Sequence, residues 1–213
     1  MDEHPIIAFT DGAAKGNPGP GGWGAIIVTP EGHVTELGGG FAHTTNNQME
    51  LTGPIAVLTR LQSRPEKVAI RTDSTYVIRG IREWIWAWRK RGWKTADGKD
   101  VLNRERWEQL GALVAARGKD TIEWHYVRGH SGIPGNERAD EIANAFALRR
   151  PLELYDGPLI RYPLPIFDVP DDMSVPKRDA SSSRKSKVAP YSYLSAVDGE
   201  RCATPHGRSA SVA

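Results

Sequence analysis

Three short apolar runs succeed one another at residues 6–10, 24–29 and 34–41, with only glycine- and proline-rich turns between them, and this order limits the fold more than any other feature. Connections that short join antiparallel neighbours, because a parallel return needs a crossover of a dozen residues or more. The period then changes. Thr44, Thr45, Asn46 and Asn47 offer capping side chains ahead of a helix with Leu51, Ile55 and Leu58 on one face. Residues 67–72 form a fourth strand, followed by a helix carrying Val77 and Ile81. A further amphipathic helix holds Trp107, Leu110, Leu113 and Val114, residues 121–127 form a fifth strand, and a last helix opens at Pro134 and presents Ala139, Ile142, Ala143 and Phe146. Strand, helix, strand implies parallel pairing by a right-handed crossover. The expectation is an α/β fold with a five-stranded mixed sheet, three antiparallel strands then two parallel, flanked by helices.

Beyond residue 150 the patterning stops. Eight of the fifteen prolines fall in 151–213, and residues 181–187 read SSSRKSK. A segment of this kind buries too little apolar area to offset its chain entropy. The division expected is a folded unit at 1–150 and a mostly disordered Pro/Ser-rich extension at 151–213, in which only residues 159–167 have enough apolar content to fold back.

Composition excludes some classes. Hydrophobic residues make up 39% and charged residues 25%, ordinary globular values, and no apolar run is long enough to span a membrane. Asp2 and Glu3 stand where an export leader would be basic. The single Cys202 leaves no internal disulfide, in keeping with a cytoplasmic setting. Net charge is only +2, but residues 79–94 hold six bases (Arg79, Arg82, Arg89, Lys90, Arg91, Lys94) against one acid, Glu83. That focused charge suits a polyanion.

Four carboxylates stand where an element starts or stops: Asp11 after strand one, Glu50 early in the first helix, Asp73 after strand four and Asp140 in the last helix. Strands one and four can be neighbours in such a sheet, which sets Asp11 beside Asp73 with the helical acids reaching over them. Four clustered carboxylates repel one another unless cations sit among them, and hard oxygens suit Mg²⁺ or Mn²⁺.

The strings around these residues are TDGAAKGNPGPGGWGAI, TTNNQMEL, TDSTYV, WRKRGWKTADGK and WHYVRGHSGIPGNERADEIA. Over residues 5–150 the chain resembles the bacterial type 1 ribonucleases H. The resemblance implies a ribonuclease H-like fold and an endonuclease that cuts the RNA strand of RNA/DNA hybrids. It implies Asp11, Glu50, Asp73 and Asp140 as ligands of two Mg²⁺ ions, Mn²⁺ being able to substitute, with 5′-phosphate and 3′-hydroxyl ends as products. Two ions can stabilise the attacking and leaving oxygens of the phosphodiester at once. His130, flanked by Gly129 and Gly132, resembles a histidine that assists proton transfer or product departure, and imidazole changes charge near neutral pH.

The same resemblance assigns substrate contacts to Gly12, Asn17, Thr45, Asn46 and Asn47, through 2′-hydroxyls, base edges or a phosphate. Trp84, Trp88, Arg89, Lys90, Arg91, Trp93 and Lys94 would form a basic protrusion that grips the DNA strand. Trp86 is expected in the core by its helical spacing from Trp93. Two positions depart from the family pattern. Gly53-Pro54 lies inside the first helix and should kink it beside Glu50, whose carbonyl loses its amide partner. Thr75 replaces a longer amide side chain and should cost one substrate contact. The competing expectations are a module that binds hybrids without cutting and a basic tail acting as adaptor. No membrane and no obligate protein partner are expected, and a monomer is the default.

Overall fold

The computed structural model describes residues 4–168, 174–176 and 201–203. One sheet organises the chain. Strands β1 (Ile6–Ala14), β2 (Gly19–Val28) and β3 (His33–Thr44) form the antiparallel meander; α1 (Asn46–Arg60) crosses to β4 (Val68–Thr72), which pairs parallel to β1. A nearly continuous helical stretch follows, made of α2 (Thr75–Arg79), a π-helical turn (Gly80–Trp84) and α3 (Ile85–Lys90). Helix α4 (Arg104–Arg117) leads to β5 (Ile122–Tyr126), parallel to β4, and α5 (Pro134–Ala147) completes the unit.

Strict alternation along the central strands divides the core in two. Ile6, Ala8, Ala25 and Ile27 face α1, α2 and α4, where Trp107 and Leu110 are fully buried. Phe9, Ile26 and Val28 face α5, against Ala139 and Ile142. Period-two patterning on both faces is what a sheet covered on both sides requires.

The five expected strands are present, and two short ones join them at the β3 edge: β6 (Asp156–Pro158) and β7 (Arg201–Ala203), in the order β5-β4-β1-β2-β3-β6 with β7 also on β3. The fold-back allowed for residues 159–167 is present, and the packing begins earlier than expected, from Leu152 onward. Tyr162 and Ile166 are buried in the Phe9 cluster, and Leu152, Leu154 and Leu164 pack against it. A polar clamp explains why this segment stays down. Buried Glu36 takes Arg138 on both carboxylate oxygens at 2.8 Å, the Tyr155 amide at 3.0 Å and the Tyr162 hydroxyl at 2.7 Å. The 181–187 stretch lies outside the described residues.

Helix α1 continues through buried Pro54 to Arg60. One local expectation changes. Trp86 is 39% exposed with Arg89 over its ring, whereas Trp84 and Trp88 stack inward on Tyr76 and Trp107. Helix α3 ends at Lys90 and Trp93 lies beyond it at φ 64°, so the seven-residue spacing from Trp86 to Trp93 is not helical and does not fix the face that Trp86 takes. Among the described residues no helix is long and apolar enough to cross a membrane.

Candidate active site

β1 continues past Asp11 to Ala14, because β2 keeps pairing with it there (Asp11 opposite Gly24). What ends near Asp11 is the partnership with β4, whose last register pair is Phe9 with Arg71. The two parallel strands part at this point, and Asp73 follows β4 by one residue. Asp11 shares the parity of Phe9 and so belongs to the α5 side, from which Asp140 comes. Gly12 has the opposite parity and faces α1. A Cβ there would sit 2.2 Å from the Glu50 amide nitrogen, so only glycine lets the first turn of α1 bring Glu50 to the strand.

The result is one polar cleft of about 530 Å³, lined by Asp11, Gly12, Asn46, Glu50, Asp73, His130, Asp140, Asn144 and Lys15 among others. All four acids singled out from the sequence, and the loop histidine with them, meet in it. His130 is exposed at the rim in a left-handed conformation (φ 52°).

Each carboxylate is held by a donor from the chain. Asp11 accepts from the Gly12 amide at 2.6 Å. Glu50 accepts from Asn46 Nδ2 at 2.9 Å and from the Ser74 hydroxyl at 2.7 Å, while Ser74 also caps α2. Asp73 accepts from Asn136 Nδ2 at 3.2 Å, and Asp140 from Asn144 Nδ2 at 2.6 Å. Ser74, Asn136 and Asn144 were not singled out from the sequence. The signal for two of them was there: Asn136, Asp140 and Asn144 repeat every four residues along one face of α5.

The electrostatics call for positive charge. Burial, then the charge of Asp73, and less strongly those of Asp140 and Glu50, push the Asp11 carboxyl up to about 9 against the pull of the Gly12 amide. Burial likewise raises Glu50 and Asp73 above the ordinary carboxylate range, opposed by Ser74 and Asn136 respectively. Among the described residues no three acidic, His or Cys side chains are gathered closely enough to chelate an ion as they stand. An all-oxygen donor set short of positive charge fits hard divalent cations.

The proposed substrate contacts divide by environment. Thr45 is the N-cap of α1 in a capping box with Gln48, and Asn17 Oδ1 accepts the Asn46 amide, so both already support the helix start. Asn47 is exposed beside them. Arg89, Lys90, Arg91 and Lys94 are exposed on and after α3, Lys94 pairing with Asp100 at 2.6 Å. Trp84, Trp88 and Trp93 are half-buried, Trp93 under Arg104, which makes them the floor of this basic surface rather than its outermost layer.

The sequence model of the RNase H family matches residues 3–147. A ribonuclease H of Pseudomonas syringae is 56% identical over 139 residues, 65% of this chain and 89% of that protein. One from Cupriavidus metallidurans is 55% identical over 139 residues, covering 92% of its length. Among solved structures, LC9-RNase H1, a type 1 RNase H with the type 2 active-site motif, superposes with a TM-score of 0.62 at 27% identity, covering 74% of this chain and 79% of the other. LC11-RNase H1 in complex with RNA/DNA hybrid superposes with a TM-score of 0.53 at 26% identity, covering 68% and 97%.

Proposed function

The chain belongs to the ribonuclease H family, and from that premise we propose that it is an endonuclease hydrolysing the RNA strand of RNA/DNA hybrids with two bound Mg²⁺ ions. The products would carry 5′-phosphate and 3′-hydroxyl ends. The observation that carries this reading is the meeting of Asp11, Glu50, Asp73, Asp140 and His130 in one cleft. A similar structure bound to such a hybrid supports the substrate.

Asp11, Glu50, Asp73 and Asp140 would hold the ions, which when bound neutralise charge building on the phosphate and lower the pKa of the attacking water. The chain itself does the rest. Asn46 and Ser74 aim Glu50, Asn136 aims Asp73, and Asn144 aims Asp140. His130, exposed on its glycine-flanked loop, can reach a substrate oxygen at the rim and carry a proton at its imidazole. Asn17, Asn46 and Asn47 would read 2′-hydroxyls, and the cations on and after α3 would neutralise a DNA backbone. The catalytic unit proposed is 1–150, cytoplasmic and monomeric, with residues 152–166 packed on it.

End analysis of the cleavage products tests the chemistry. New RNA fragments that ligate through a 5′-phosphate, formed with Mg²⁺ and suppressed by EDTA, are expected. A 2′,3′-cyclic phosphate, or cutting that persists in EDTA, would sink the metal-dependent reading.

A further inference from the structure

Asn144 stands one helical turn beyond Asp140 on α5, and its side-chain nitrogen donates to both the Asp140 carbonyl (3.0 Å) and its carboxylate Oδ1 (2.6 Å). A side-chain amide can face either way round. Here the choice is made from across the cleft: Lys15, in the turn after β1, places Nζ 2.5 Å from Asn144 Oδ1. An ammonium has donors only, so Oδ1 must turn to Lys15 and the amide N–H must turn to Asp140. Asn136 holds Asp73 from the same face of α5, but the structure gives its amide oxygen no partner and therefore no such lock.

We propose that Asn144, oriented by Lys15, is a positioning residue that sets the direction of the Asp140 carboxylate for a divalent cation. The inference rests on the metal-dependent reading above. Asn144 does not touch the reacting atoms; it fixes the orientation that a metal-binding carboxylate would otherwise have to acquire on binding. Residues that hydrogen-bond to metal ligands change metal affinity or activity by about 10–100-fold when lost.

The test is Mn²⁺ binding by the full chain without substrate, followed by electron paramagnetic resonance, for wild type, Asp140→Asn, Asn144→Leu and Asn144→Gln, with hybrid KM and melting temperature measured in parallel. Asn144→Leu keeps size and removes the donor; Asn144→Gln keeps the donor on a longer stem. Expected are roughly tenfold weaker Mn²⁺ binding in Asn144→Leu, partial recovery in Asn144→Gln, and an unchanged KM for hybrid. Binding by Asn144→Leu equal to wild type, or equal losses in the Leu and Gln variants, would overturn the role of the amide. Failure of the wild type itself to bind Mn²⁺, or binding that ignores Asp140→Asn, would instead remove the metal reading on which the inference stands.

Discussion

Asp11 carries the largest electrostatic burden in the cleft, and its neighbours make its charge costly until cations arrive. Asp11→Asn should therefore abolish hydrolysis while raising the melting temperature of the metal-free protein near neutral pH, because a carboxyl pushed up to about 9 must take up a proton on folding, a cost the amide does not carry. Calorimetry in EDTA checks the second half; a lower melting temperature would contradict it. Gly12→Ala should do the opposite to stability. Its Cβ would strike the α1 backbone at Glu50, costing about 1–3 kcal/mol by denaturant unfolding and lowering activity as Glu50 is pushed out. The carboxylates were legible in the sequence because each sits in a string of distinctive neighbours. Ser74 was not, since the Glu50 carboxylate it holds is brought to it from another element, and no local pattern records that.

At the scale of elements, the β3–α5 clamp fastens the extension. Burial works against the charge of Glu36, but Arg138, the Tyr155 amide and the Tyr162 hydroxyl outweigh it and hold the carboxyl below its ordinary 4.5. A depressed carboxylate contributes stability above that ordinary value and loses it as the pH falls through the depressed one. Glu36→Gln should then cost about 3 kcal/mol at pH 7 and progressively less below pH ~4, read from urea midpoints across that range. The α3 surface makes a different demand. Replacing Arg89, Lys90, Arg91 and Lys94 by alanine should weaken hybrid binding and flatten the slope of log affinity against log salt by roughly 3–4, with kcat little changed. An unaltered slope would mean these cations do not meet phosphate. Helix periodicity failed at Trp86 because α3 stops at Lys90, short of Trp93, so the spacing between the two tryptophans runs across a helix end.

For the whole molecule, the mixed sheet could be foreseen because its central strands are short continuous apolar runs, as burial on both faces requires, and its turns are marked by glycine and proline. The fold-back of residues 159–167 followed from their apolar content, whereas the packing of residues 152–158 did not. β6 is three residues long, and the segment owes its place to Tyr162, Ile166 and a buried ion pair rather than to any periodic pattern. What the fold accomplishes is to bring acids from β1, α1, the end of β4 and α5 to one cleft, with a basic surface on and after α3. The most direct test is to incubate the full chain and Asp11→Asn with end-labelled RNA/DNA hybrid, single-stranded RNA, RNA duplex and DNA duplex, each with Mg²⁺ and with EDTA. Mg²⁺-dependent internal cutting of the hybrid's RNA strand alone, absent in Asp11→Asn, is the expected result; tight hybrid binding without cutting, or cutting that survives Asp11→Asn, would contradict it.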